Sequence, residues 1–319
     1  MKSPLLKLVA QRVGLSVILL FAVSLLIFVG TQILPGDVAQ SILGQSATPE
    51  AVANLRESLG LNQPAYLRYL EWLGGLLTGH LGNALSNGLP IGPELWQRLK
   101  NTLFLAFWAA AISVPLSTVL GLIAVRHKNG FIDKMISATT LLTISLPDFF
   151  IGYLLIYFVA VKLGWFTSVS TVFDGMPFLQ RMNAIVLPAT ALTLVVLAQM
   201  MRMTRAAILN VMQSAYVETA QLKGLSQFEI IWHHAFPNSI APIINVIMLN
   251  LAYLVVGVVV IEVIFVYPGM GQYLVDHVAK RDVPVVQDCG LIFAAVYIGL
   301  NMLADIFAIL SNPRLRHPK

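Results

Sequence analysis

The chain has 319 residues, 57% of them hydrophobic and 11% charged, against about 45–50% apolar and about 25% charged in soluble domains. With a mean hydropathy of +0.79, this excludes a water-soluble globular fold and predicts a multi-span membrane protein. The net charge of +5 gathers in no basic stripe, which argues against nucleic acid and for membrane topology as its cause; the one cysteine, Cys289, excludes an intrachain disulfide and a Cys-based metal cluster.

In chain order, the first apolar window is Leu15–Leu34, preceded by Lys2, Lys7 and Arg12. It is too long for the apolar region of a signal peptide. It also ends in Leu34-Pro35-Gly36-Asp37, a poor small-residue cleavage site, so it is read as a retained first transmembrane helix. Residues 35–98 are then expected to form a small helical extracytoplasmic insertion. Within it, Thr48-Pro49-Glu50 opens a helix to Leu59 before Gly60, and Pro64 opens a second from Ala65 to Leu77. Tyr66, Tyr69 and Trp72 of the second give it aromatic surface for a membrane-facing cap or for docking an extracytoplasmic partner.

Five further windows follow: Leu103–Val125, Met135–Val161, Ala184–Met201, Ile240–Val266 and Cys289–Leu310. Each approaches or exceeds the ~20 residues that cross about 30 Å of hydrocarbon, and none has the short alternating pattern of a barrel strand. The predicted class is therefore an all-α membrane protein with six transmembrane helices. Placing the N-terminus in the cytoplasm puts 12 of the 20 Lys and Arg on the inside, including Arg126 and Lys128 of the short second loop. Six spans bring the C-terminus to the same side. The expected organisation is an N-terminal segment and first span in 1–34, the insertion in 35–98, and a five-helix core in 99–319.

Ionisable groups inside spans are costly and default to functional hypotheses, which singles out Asp148, Glu262 and Asp305. Asp148 follows Pro147, which frees backbone groups that need partners; it is a candidate to line a pathway, with a structural partnership to Ser, Thr or Asn as the alternative. Glu262 is expected near the outer end of its span and Asp305 near the inner end of the last, both within reach of water.

The segment 202–239 is too structured to be a tether. Ala215–Lys223 reads as a helix with Ser214 as N-cap, Glu218 near its positive end and Gly224 as its stop. Ser226-Gln227-Phe228-Glu229 is a capping box opening a second helix that Pro237 is expected to interrupt. After the fifth span, Pro268-Gly269-Met270-Gly271 reads as a turn or an outer gate whose glycines allow close approach. His233-His234 diverge on a helix and are not read as a metal site, and the methionines from Met200 to Met212 are read as packing.

Glu218-Thr219-Ala220, Gly224 four residues on, and Pro237 thirteen beyond that resemble the EAA loop of ABC importer permeases. His234-Ala235, Asn238 and Pro242, together with Leu34-Pro35-Gly36-Asp37, Leu59-Gly60-Leu61-Asn62-Gln63-Pro64, Pro268-Gly269-Met270-Gly271, Arg281-Asp282-Val283-Pro284 and Asn312-Pro313-Arg314-Leu315-Arg316, are similar to the subgroup that imports dipeptides, oligopeptides and nickel complexes. The resemblance implies a multi-pass subunit of the bacterial inner membrane, paired with a second homologous permease. Two ATPase subunits would bind below and an extracytoplasmic solute-binding protein would deliver cargo. It also implies that Glu218, Thr219, Ala220, Gly224 and Pro237 couple to the ATPases; the candidates for a pathway or gate remain Asp148, Glu262, Pro268, Gly269 and Gly271, as read from their positions above. No Gly-x-x-x-x-Gly-Lys-Ser/Thr loop is present, so the chain is not expected to be an enzyme or to hold a cofactor, and ATP and Mg belong to the partner ATPases. The alternative from another class is a proton-coupled carrier using Asp148 and Glu262. An intramembrane hydrolase lacks a Gly-x-Ser-x-Gly or His-Glu-x-x-His string.

Overall fold

The computed structural model describes residues 4–33 and 38–311. The Leu34-Pro35-Gly36-Asp37 and Asn312-Pro313-Arg314-Leu315-Arg316 motifs, with Lys2 and Lys319, lie outside the described residues. The described chain is helical, with one isolated bridge between Asn83 and Pro90. Its helices are α1 (Pro4–Ile33), α2 (Val38–Leu43), α3 (Pro49–Ser58), α4 (Ala65–Thr78), α5 (Ile91–Arg126), α6 (Phe131–Ser145), α7 (Asp148–Leu155), α8 (Phe178–Met212), α9 (Ala215–Leu222), α10 (Gln227–Glu229), α11 (Phe236–Ile264), α12 (Met270–Ala279) and α13 (Val283–Ser311). Wide π-type turns continue α7 over Ile156–Lys162 and join α10 to α11 over Ile230–Ala235.

Five stretches are long and apolar enough to cross a membrane: Lys7–Ile33, Ile91–Arg126, Phe178–Met212, Gln227–Ile264 and Val283–Phe307. The expected third span is not one straight helix. Leu146, forced out of the helical region because a proline follows, is extended at ψ 135°, and α6 and α7 meet there at 102°. Counted as one broken span, the pair makes six.

The local signals act as read. Thr48 accepts the Ala51 amide at 3.2 Å and opens α3, Gly60 takes φ +65° just beyond its end, and Pro64 opens α4. α5 begins at Ile91, twelve residues ahead of the apolar window, because its first turns are polar on one side while Ile91 and Leu95 are buried.

The chain divides into two compact units. One comprises Val17–Leu103 and Pro268–Ala295. Its core joins Ile91, Leu95, Met270, Tyr273, Val285 and Cys289. Long-range polar contacts tie its pieces together: Ser24 Oγ lies 2.8 Å from the Tyr69 hydroxyl, Trp72 Nε1 donates to Asp288 Oδ1 at 2.8 Å, and Asp282 accepts the amides of Leu85 and Ser86 at 3.0 and 2.8 Å. The other unit comprises Phe104–Tyr267 with the start of α1 and the end of α13. There α8 packs along α11, and Val125, Ile208, Ile231, Ala235 and Ile243 form a buried cluster. Asp305 pairs with Arg12 at 2.8 Å and stays partly exposed.

Candidate functional site

The loop between α8 and α11 is closed by local hydrogen bonds and a small buried cluster. Ser214 occupies the N-cap position of α9 with extended backbone, but its hydroxyl donates to the Val211 carbonyl at 2.6 Å and does not cap the helix as expected. α9 ends in a Schellman motif: Gly224 N–H donates to the Gln221 carbonyl at 2.9 Å and Leu225 N–H to the Ala220 carbonyl at 3.3 Å. Gly224 sits at φ +79°, the left-handed region that glycine enters without steric cost. The capping box closes as read, Ser226 N–H donating to Glu229 Oε2 at 3.1 Å and Glu229 N–H to Ser226 Oγ at 3.3 Å.

Two residues fix α9 from beneath, Val217 and Ala220, packed on Ile230. Glu218 and Thr219 face outward, Thr219 Oγ1 donating to the Ala215 carbonyl at 2.9 Å. Large apolar side chains around them are also exposed: Tyr216 at 44% and Leu222 at 83%, with Leu225 and Phe228 nearby in sequence. Those apolar groups were missed in the sequence. Their signal was four large apolar residues, Tyr216, Leu222, Leu225 and Phe228, in a segment too short to bury them.

Pro237 does not interrupt the second helix. It stands in the first turn of α11, and the π-type turn before it relaxes the clash a proline ring makes with the carbonyl four residues back. Side chains serve the neighbouring carbonyls: Asn238 Nδ2 donates to His234 O and Ser239 Oγ to Ala235 O, each at 2.7 Å. Phe228, Trp232 and Phe236 stack in a column, with ring centroids 6.5 and 5.5 Å apart.

At the opposite side of the α6 break from Ser145, Asp148 lies in the first turn of α7 and hydrogen-bonds the Tyr253 hydroxyl of α11. Glu262 is displaced from its expectation. It is fully buried, as are Phe265 and Tyr267 just past the end of α11, and the Tyr267 amide donates to the Glu262 carbonyl at 2.8 Å. The Tyr267 hydroxyl bonds with Arg181 and lies in the field of both Glu262 and Arg181. A cavity of about 310 Å³ is lined by Ile144, Gln199, Arg202, Met203 and Ala206, and Arg202, which the sequence reading used only for topology, is its one charged wall residue among those described.

Nearby, Asp133 at the start of α6 receives a two-pronged bond from Arg205 of α8, Nε to Oδ1 at 2.9 Å and Nη2 to Oδ2 at 2.8 Å. It also accepts the Asn129 amide at 3.0 Å. Pro268-Gly269-Met270-Gly271 is a helix start. Gly269 is extended at φ −99°, so glycine's special freedom is not in use there. Asn101 Nδ2 donates to the Pro268 carbonyl and Met270 N–H to Thr102 Oγ1, each at 2.8 Å. Both Met270 and Gly271 are buried. Among the described residues, no group of three His, Cys, Asp or Glu side chains is placed to hold a metal.

Residues 113–317 match the family described as the binding-protein-dependent transport system inner membrane component, and residues 5–90 match the N-terminal family of such membrane components. The chain belongs to this permease family.

The permease is similar along nearly its whole length to curated relatives. One is a probable peptide ABC transporter permease protein of Sinorhizobium fredii, 33% identical over 97% of this chain and 99% of the relative. Another is a di/tripeptide transport system permease protein of Pseudomonas aeruginosa, 33% identical over 99% and 100%. A third is a glutathione transport system permease protein of Escherichia coli, 32% identical over 93% and 95%. The permease is thus a multi-pass component of an ABC importer in the inner membrane, and the proton-coupled carrier finds no support among these relatives.

Proposed function

We propose that this permease forms one half of a pathway that takes up peptides or related small solutes, with a second homologous permease as the other half. Two ATPase subunits work it from the cytoplasm and a solute-binding protein loads it from outside. The peptide class is supported by the relatives' named substrates. The arrangement of α9 carries the coupling assignment: a helix locked at its far end by a Schellman motif and from beneath by Val217 and Ala220, yet presenting Tyr216, Glu218 and Leu222 outward. An apolar patch of this kind on an ordered projection fits a protein partner. The Lys and Arg distribution supports putting this loop, and both termini, in the cytoplasm.

In this reading ATP binding draws the ATPases together, α9 follows them, and α8, which leads into α9 through only two residues, passes the motion to the core. The pathway opens outward to receive cargo, and hydrolysis resets it. No bond in the solute is made or broken. Asp148, at the break between α6 and α7, and Arg202, on the wall of the cavity of about 310 Å³, would offer charged partners to a solute's ends. The test is to purify the tagged chain with the products of co-expressed neighbouring reading frames. Two nucleotide-binding polypeptides should co-isolate, and ATP hydrolysis should rise when loaded binding protein is added. Transport by the chain alone, abolished by collapsing the proton gradient, would overturn the reading.

A further inference from the structure

Helix α4 has three sides of different chemistry. At about 100° per residue, Tyr69, Trp72, Leu73 and Leu76 fall on one side, where Tyr69 is buried and the other three are half-buried. Tyr66, Leu70 and Leu77 fall within about 40° of one another on the next side and are 59 to 79% exposed. Arg68 and Glu71 stand on the third side. Arg68 Nη2 donates to Gln32 Oε1 at 2.8 Å, and Glu71 is exposed.

The inward side fixes how deep α4 lies along α1. From Val13 to Ile33 α1 carries no charged residue, a length of about 31 Å at 1.5 Å per residue, which matches the roughly 30 Å of a bilayer's hydrocarbon layer. Tyr69 reaches well down this run. Its ring packs edge-on against Phe21 and Phe28, with centroids 6.2 and 5.3 Å away. Ser24 Oγ gives its proton to the Phe21 carbonyl at 2.7 Å, so the Tyr69 hydroxyl, 2.8 Å away, is the donor to Ser24 Oγ. Ser24 stands nine residues before Ile33, about 14 Å along the helix. Trp72 stacks on Phe28 with centroids 6.2 Å apart, about 8 Å from the same end. Gln32, the partner of Arg68, belongs to the last turn of α1. α4 therefore lies beside the final part of the apolar run, with its charged side level with the end of that run.

Over the same depth α1 exposes Leu25, Leu26, Val29 and Ile33, and these residues belong with α4 to one compact unit. Surfaces that bind and release protein partners mix polar with apolar groups. Among Tyr66, Leu70 and Leu77 the one polar side-chain atom is the Tyr66 hydroxyl, on a residue type that collects at membrane surfaces. We propose that α4 is an interfacial helix whose partner is lipid: its Tyr66, Leu70 and Leu77 side lies among the acyl chains of the leaflet at the C-terminal end of α1, and its Arg68 and Glu71 side faces water. By the topology proposed above, this is the outer leaflet. The insertion after the first span is then held down on the bilayer by α4 and does not stand clear of it.

The test measures collision accessibility of spin labels on the purified permease complex in phosphatidylcholine nanodiscs, without nucleotide or binding protein. Leu70→Cys, Leu77→Cys and Glu71→Cys are labelled one at a time, with Leu26→Cys as the reference on α1. All four replace exposed side chains. Cys289 is buried and stays in place, and the unmutated complex is the labelling blank, with reactive cysteines of the other chains removed. Oxygen concentrates among acyl chains and a neutral nickel chelate stays in water. The ratio of oxygen to nickel collisions should be at least fivefold higher at 70 and 77 than at 71, and close to that at 26. A nickel preference at 70 or 77 puts that side in water and overturns the proposal. Closure to both reagents overturns it as well, because it gives the surface to a protein neighbour such as a second permease. So does an oxygen preference at 71 as large as at 70, which would submerge the whole helix. Positions 70 and 77 are read independently, so a label that blocks assembly at one leaves the other to decide.

Discussion

Gly224 offers the sharpest test of the proposed coupling loop, because its structure separates two reasons for a glycine. A Cβ built there meets nothing within 4 Å, so bulk within the chain is not the constraint. The constraint is the φ of +79°, which an ordinary L-residue adopts at a cost of about 1–2 kcal/mol and a β-branched one at more. A cost of that size shifts the closed turn against its alternatives by roughly 5–30-fold. Since the Schellman bonds from Gly224 and Leu225 set where α9 ends, the loss falls on the placement of α9 rather than on global stability. The series Gly224→Asn, Gly224→Ala, Gly224→Leu and Gly224→Val should therefore grade by backbone tolerance and not by size. Asn, which enters the left-handed region most readily after glycine, should retain most ATPase association and uptake per ATP hydrolysed; Val should lose most. Thermal unfolding of the complex should barely move across the series. If Val matches the wild type, the backbone reasoning is wrong. If Asn fails as badly as Val, crowding by a partner governs the position instead.

Breaking the Asp133–Arg205 pair with Asp133→Ala should destabilise the purified complex toward the lower end of the roughly 3–5 kcal/mol typical of a buried pair losing one partner, since Arg205 remains 27% exposed. Thermal unfolding should record it, and the exchange Asp133→Arg with Arg205→Asp should recover part of the loss; an unchanged midpoint in the single variant would show that the pair adds nothing. Trp72→Phe removes what is, among the described residues, the one donor to the buried Asp288 carboxylate, whose Oδ2 already has no hydrogen-bond partner there, and should cost about 1–3 kcal/mol or more. Adding Asp288→Leu should then restore stability, and a further drop in the double variant would contradict that account.

How much of this was legible in the sequence depended on how far apart the partners are. The N-cap at Thr48, the stop at Gly224 and the Ser226–Glu229 capping box rest on residues within one turn, and each closes as its local chemistry dictates. The apolar windows were legible for the same reason, as spacing along one helix. Pro147 announced a disturbance, but whether a proline kinks a helix or ends it depends on the packing around it, and here the chain turns through 102°. Pro237 shows the opposite outcome, absorbed by a wide turn within a continuous span.

The partners distant in sequence were not legible. Trp72 and Asp288 stand 216 positions apart, and nothing near either one names the other. Glu262 was placed near water by its position in an apolar run, whereas it is buried together with Phe265 and Tyr267 just beyond the end of α11. Asp133 did carry a signal that went unused: a lone acid in the first turn of a helix, beside the basic Arg126–Lys128 loop.

In the proposed coupling, the wide turn over Ile230–Ala235 bears on the motion that α9 would pass to α11. A π-type turn holds one residue more than the α-helix it interrupts, so relaxing it to α geometry would screw the two flanking helices against each other by about 100° and shift them along the axis by about 1.5 Å. The aromatic column of Phe228, Trp232 and Phe236, with Arg126 resting 5.3 Å above the first ring, would act as a detent against that torsion. A push received at α9 would then reach α11 as a twist once the column unstacks, and as simple displacement while it holds.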